Sequence, residues 1–312
     1  MEVSREQCRV LAELQNNGQL CDAIIKIGDE TFPIHRAILS SCSPYFRVMF
    51  INNQFVEANQ QVITLGEPSI DIMREIIRYA YTQECNINGE NVQSLLEAAD
   101  YFNIVGLLSE CCEYLASQMS AENCIGIGQV AFWYSCSNLE KKAHDFFMEN
   151  FVEIFRCSDE FVHLGVDHLC RVLASDDLNV KSEEIAFHAI THWIDVDPAR
   201  RISKMAELLR CLRLGRFSTH FFVEKVAAHR YVQNNTACRQ IIIETKEFLD
   251  RYADASNLGY LDLQRSPITT PRMPHEFLLT FGGCNVSSPT NIIETYDAGY
   301  DSWIRSFAVE SG

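Results

Sequence analysis

Residues 22–27 (DAIIKI) are dominated by β-branched side chains and predict a strand. Gly28-Asp29 is a turn signal, and ETFPI at residues 30–34 can pair back as a hairpin. A short helical start precedes this pair. Ser43-Pro44 then supplies an N-cap and a first-turn proline, with Tyr45, Phe46, Met49 and Phe50 on one helical face. The polar stretch INNQFVEANQQ leads into a second short strand at residues 62–65.

From there to about residue 252 the apolar period is helical. Ser69 stands where a cap is needed, ahead of an apolar stripe of Ile70, Met73, Ile76, Ile77 and Ala80. Val92, Leu95, Leu96 and Ala99 predict the next stripe, and Val105, Leu108, Cys112, Leu115 and Met119 a third. Ser120 with Glu122, Ser158-Asp159-Glu160 and Ser182-Glu183-Glu184 each read as a fresh helix start, so residues 120–252 are expected to form stacked helical pairs. RSPITTPRMP at residues 265–274 has three prolines and no period, the mark of a linker. Beyond it FLLTFGGCN and NIIETYDAGYDSW change to strand period and read as one blade of a β-propeller. The expected fold is therefore mostly α: an α/β domain over 1–118, an all-helical domain over 119–252, a linker over 253–274 and a propeller-blade remnant over 275–312.

Composition narrows the function. The 312 residues are 47% hydrophobic and 22% charged, a soluble globular mix, and the net charge of −16 argues against nucleic acid and acidic membrane surfaces as partners. No apolar run approaches a membrane span and MEVSREQCRV is not an export signal, so the sequons at Asn234 and Asn285 are expected to carry no glycan. Thirteen scattered cysteines in such a chain imply reduced thiols in the cytosol or nucleus, serving as small core residues. There is no C-x-x-C, and Cys111-Cys112 is the one close pair. His188 and His192 are four apart, but the stretch His-Ala-Ile-Thr-His lacks the glutamate of a zincin. Gly282-Gly283 belongs to no phosphate loop, and no G-x-S-x-G elbow is present. Neither a metal nor a cofactor is expected, nor catalysis.

Longer motifs carry a resemblance. LCDAIIKIGDETFPIHRAILSSCSPYFRVMF is similar to the opening of a BTB (POZ) domain, and NVQSLLEAADYFNIVGLLSECCEYL to its closing helices. SAENCIGIGQVAFWYSCSNLEKKAHDFFMENF and SDDLNVKSEEIAFHAITHWIDVDPARR resemble a BACK domain, and FGG…YDAGYDSW a first kelch blade. Together they resemble the kelch-like BTB-BACK adaptors of cullin-3 ubiquitin ligases. The resemblance implies a cytoplasmic homodimer that binds cullin-3 through BTB and the start of BACK, while a kelch propeller captures a protein substrate. Such an adaptor carries no catalytic residue and acts by proximity. It also implies that further blades lie outside this sequence, so the substrate cannot be read here. The rivals are a dimerising BTB scaffold without a ligase and a transcriptional co-regulator of the BTB–zinc-finger type, which would need zinc fingers and a basic face.

Carried onto this sequence, the family's hydrophobic-x-Glu grip on cullin-3 falls on Phe55-Val56-Glu57. The pattern recurs at Phe147-Met148-Glu149, Phe151-Val152-Glu153 and Phe222-Val223-Glu224, and only position in a polar loop singles out the first copy. Asp22, His35 and Arg36 fall where the family has its dimer interface, with Asp22 and Arg36 as a charged pair. The first helical pair of BACK, over residues 123–151, is expected to extend the cullin surface, with Ile125, Val130 and Leu139 as core. The sequence departs from the family at Tyr134-Ser135-Cys136, which replaces H-G-C, and at Leu212-Arg213-Leu214-Gly215-Arg216-Phe217, which replaces V-R-L-P-L-L.

Overall fold

The computed structural model describes residues 2–52, 54–253, 268–270, 272, 277–285, 288–297 and 302–308. Most of the expected linker, and residues 298–301 of the expected blade, lie outside them. The chain divides into two compact units, residues 1–119 with 127–142, and residues 120–126 with 143–312.

The first unit opens with α1 (Glu2–Asn16), whose Leu11 and Ala12 rest on the core. The hairpin forms as expected: β1 (Ala23–Ile27) pairs antiparallel with β2 (Glu30–Ile34). The later strand, β3 (Val62–Thr64), lies parallel to β1, giving the order β2-β1-β3. A parallel neighbour requires a crossover, and α2 (Arg36–Cys42), α3 (Pro44–Ile51) and a 3₁₀ turn (Val56–Asn59) provide it. Ile25, Ile34 and Ile63 point to the same buried side, against Phe46 and Met49 of α3 in one core.

Four helices follow within or into this unit: α4 (Ile70–Thr82), α5 (Val92–Tyr101), α6 (Val105–Ser117) and α7 (Cys124–Trp133). A fifth, α8 (Ser137–Glu149), begins here. Ser43 caps α3 as expected, its Oγ accepting from the Phe46 N–H at 3.2 Å. Ser69 occupies the N-cap position of α4 but makes no side-chain cap bond; its carbonyl accepts the Met73 N–H instead. The α6 stripe is shifted from the expected one. Leu107 and Cys111 face the core, whereas Val105 is exposed and Leu108, Cys112 and Leu115 are half-buried. VGLLSECCEYLAS has apolar side chains nearly all round, so spacing alone cannot choose the face. Between α7 and α8, Ser135 takes φ 55, the left-handed region that glycine, as in H-G-C, enters without a Cβ clash.

The second unit is helical from α9 (Phe151–Cys157) and α10 (Val166–Ala174) through α11 (Glu183–Val196), α12 (Pro198–Arg201) and α13 (Met205–Arg210). The short α14 (Thr219–Phe221) runs into a π-helical stretch (Phe222–Ala227), followed by α15 (Arg230–Gln233) and α16 (Cys238–Ala253). Ser182 caps α11 as expected, accepting from the Glu184 N–H. Of the paired histidines, His192 stacks on Phe161 and His188 meets Phe221 edge-on. Beyond the helices, β4 (Phe277–Asn285), β5 (Ser288–Asp297) and β6 (Ser302–Ala308) form an antiparallel sheet. Among the described residues it has three strands, one fewer than a full blade.

Part of the proline-rich segment is not a free tether. The Gly215 N–H donates to the Ile268 carbonyl at 2.9 Å, a bond that proline at this place in the resembled motif could not make. A Cβ on Gly215 would lie 2.6 Å from Thr269 Cγ2, so the close approach requires glycine. Arg272 then enters the helical unit, giving Nε to Glu183 Oε1 at 2.6 Å and Nη2 to Oε2 at 3.0 Å. Both side chains are 2% exposed. Glu183 Oε2 also accepts the Arg213 N–H, and Arg272 Nη1 donates to the Ser175 carbonyl. A paired, hydrogen-bonded charge can be buried; a single one cannot without large cost. Glu183→Ala is therefore expected to destabilise this unit by about 3–5 kcal/mol in urea unfolding followed by tryptophan fluorescence, and Glu183→Leu with Arg272→Met to recover most of it.

Candidate protein-docking site

The loop that enters β3 is built around Arg36. Its guanidinium reaches across the crossover, donating from Nη1 to the Ala58 carbonyl and from Nη2 to the Gln60 carbonyl, each at 2.6 Å. The same group lies 5.3 Å from the Phe50 ring centroid. A planar fork suits two carbonyls two residues apart, where an ammonium would hold one. The clamp fixes the 3₁₀ turn, in which the Ala58 N–H donates to Phe55 and the Gln60 N–H to Glu57.

The consequence is an exposed Phe55 at the start of that turn, 44% accessible, with Val56 at 67%. Phe55 and Glu57 line a groove of about 710 Å³ whose other walls are Tyr45, Val48 and Met49 of α3 and Tyr101 at the end of α5. The hydroxyls of Tyr45 and Tyr101 lie 3.4 Å apart and their rings 5.2 Å. Burial, then Tyr101 and the Glu57 carboxylate, push the Tyr45 phenol up to about 12. Val48 and Tyr101 are exposed apolar surface, and Asp100 adds a second carboxylate to the rim. Such a surface offers an apolar anchor in Phe55 and charge at the rim to fix register. The other three copies of the motif have no such setting: Phe147, Phe151 and Phe222 are all buried in packed cores.

Asp22 and Arg36 come together through the main chain. Asp22 Oδ1 accepts the Arg36 backbone N–H at 2.8 Å, at the start of α2, while the guanidinium points to the crossover loop. Asp22 is exposed in the single chain. His35 is held on both sides. The buried Tyr81 hydroxyl accepts the His35 backbone N–H at 2.8 Å and lies 2.8 Å from Nδ1, which leaves Nε2–H to donate to the Gln19 carbonyl at 3.0 Å. Burial pushes the Tyr81 phenol up to about 12, so it remains a donor. Asp22, His35 and Arg36 thus anchor the β2–α2 junction to Gln19, Tyr81 and the 58–60 loop. In residues 123–151, Ile125 and Leu139 are buried and Val130 half-buried, as expected of core. Sequence reasoning missed the exposed end of α7, where Phe132 is 67% and Trp133 81% accessible. Spacing could not mark it, because CIGIGQVAFW is apolar nearly all round and Phe132 lies in helical register with the buried Ile125.

A BTB/POZ domain matches residues 11–119 and a BACK domain (BTB And C-terminal Kelch) matches residues 124–227. The chain is a BTB-BACK protein. Kelch-like protein 2 of Rattus norvegicus is 30% identical over 295 residues, 95% of this chain and 49% of that protein. Kelch-like protein 17 of Homo sapiens is 30% identical over 293 residues, 94% of this chain and 45% of that one. The chain spans about half the length of the curated relatives it matches. Among solved structures, the BTB domain of zebrafish PATZ1 is 27% identical, covering 38% of this chain and 94% of that one with a TM-score of 0.34. The groove and the β2–α2 junction both belong to the BTB match, and the α7 end to the BACK match. No helix among the described residues is long and apolar enough to cross a membrane.

The clamp has a direct readout. Arg36→Ala should remove hydrogen-exchange protection from the Ala58 and Gln60 amides while the β1 amides stay protected, and Arg36→Lys should restore little of it.

Proposed function

We propose that this BTB-BACK chain is the adaptor subunit of a cullin-3 ubiquitin ligase. It pairs with a second copy through the BTB domain and docks cullin-3 through the groove beside Phe55, Val56 and Glu57. The observation that carries this reading is that, of four copies of the hydrophobic-x-Glu pattern, Phe55 alone is presented at a groove, on a clamped turn with a carboxylate at its rim. The apolar ring is the anchor and Glu57 the register charge. Phe132 and Trp133, exposed in the segment where the family extends its cullin surface, are assigned to the same partner.

The adaptor performs no bond-making. It holds a substrate near a charged ubiquitin-conjugating enzyme and so raises its effective concentration there. The β4–β6 sheet is assigned to the first kelch blade, and substrate capture to the propeller that kelch repeats build. Within the family, this reading groups the chain with kelch-like protein 10 on FNIVGLLSECCEYL and Tyr134. The place of work is assigned to the cytoplasm.

Co-purification with the N-terminal domain of cullin-3, with mass read by light scattering, tests the assignment; two copies of each chain are expected, and a monomer that ignores cullin-3 would refute it. Phe55→Ala with Glu57→Ala should weaken cullin-3 binding roughly tenfold or more in calorimetry while the dimer persists. Asp22→Asn, by contrast, should lower the stability of the dimer in sedimentation, and an unchanged dimer would remove Asp22 from that interface.

A further inference from the structure

The shifted face of α6 leaves one sulfur in an open groove. Cys112 Sγ donates to Cys136 Sγ at 2.9 Å, a contact between two thiols that are 24 residues apart. Both are half-buried, and both line a groove of about 240 Å³ together with Val105, Leu108, Glu113 and Lys142. The neighbouring Cys111 is fully buried on the other face of α6 and does not line this groove. Cys170 and Cys211 make a second thiol–thiol contact, but neither of them lines this groove; Cys136 also donates to the Tyr134 carbonyl at 3.6 Å.

The two sulfurs are not equivalent. Burial first, and then the hydrogen bond to Cys136, push the Cys112 thiol up to about 12, so this sulfur keeps its proton. Cys136 accepts that proton's hydrogen bond and immediately precedes α8, where its carbonyl takes the Glu140 N–H at 2.9 Å. The Lys142 side chain lines the same groove as the two sulfurs.

We propose that Cys112 and Cys136 are a modification site for hydroperoxides, closing to a disulfide that ties α6 to the start of α8. Cys136 sulfur attacks the peroxide, the O–O bond breaks, and water or an alcohol leaves with the displaced proton. Cys136 is then a sulfenic acid, oxidised by two electrons. Cys112 sulfur attacks it, the S–O bond breaks as S–S forms, and the departing hydroxide takes the Cys112 proton as a second water. With hydrogen peroxide the balance is two thiols and one peroxide to one disulfide and two waters. Side-chain movement of roughly 1 Å brings the sulfurs to a bond of about 2.05 Å. A dithiol reductant reverses the step.

The test uses the full chain, reduced and then exposed to a small excess of hydrogen peroxide, with peptide mapping under non-reducing conditions. The expected result is a linked Cys112–Cys136 peptide that forms before any other disulfide, raises the melting midpoint and disappears with dithiothreitol. In Cys112→Ser, dimedone should trap a sulfenic acid on Cys136; in Cys136→Ser, the same dose should leave Cys112 unlabelled. Circular dichroism confirms that both variants fold. Oxidation of other cysteines first would overturn the proposal. So would a link surviving in Cys112→Ser, which would come from Cys111, or sulfenic labelling of Cys112 in place of Cys136.

Discussion

The candidate groove depends on how Ser43 joins two distant corners of the BTB domain. Ser43 is fully buried and its single hydroxyl works twice, accepting from the Phe46 N–H at the start of α3 and donating to the Phe102 carbonyl at the end of α5. Beside it the rings of Phe46 and Phe102 stack with centroids 4.9 Å apart. One hydroxyl thus fixes the start of one helix against the end of another, and buried polar groups that are fully satisfied specify such a junction sharply. Tyr45 and Val48 then stand on one wall and Tyr101 on the other, because their neighbours in sequence are the buried Phe46 and Phe102. The exposed aromatic surface is the outer side of a rigid inner stack.

Much of this was legible in the chain. The β1–β2 hairpin, the Ser43-Pro44 start, the α5 stripe and the Ser182 cap follow from local chemistry, and local chemistry is what sequence pattern records. The candidate groove was half legible. Position in a polar loop favoured Phe55 over its three look-alikes, and burial of Phe147, Phe151 and Phe222 gives the physical reason. The clamp beneath it was not legible: Arg36 was read as half of a charged pair, yet its guanidinium binds carbonyls, which every residue possesses and no pattern can mark. The α6 face failed for another reason. A helix apolar all round gives spacing nothing to choose between, and tertiary packing selected Leu107 and Cys111.

The proline-rich segment shows the same limit from the other side. Lack of period correctly denies it a helix or strand, but says nothing about whether it is free. Ile268, Thr269 and Arg272 are held by the Gly215 N–H, the missing side chain at Gly215, the Arg216 guanidinium, the Ser175 carbonyl and the buried Glu183 carboxylate. None of these contacts repeats along the chain, so none leaves a period.

That strap sets an order on biosynthesis. Glu183 and Arg272 are 89 residues apart, so the carboxylate is made long before its counter-charge. At about 5–20 residues per second, the nascent BACK helices wait roughly 4–18 s with an acidic side chain that their own interior cannot accept. During that interval the α10–α11 corner must stay open enough for water to reach Glu183, and it shuts when the ribosome delivers the arginine. Final consolidation of the helical unit is thus timed to the emergence of the chain that leads into the sheet.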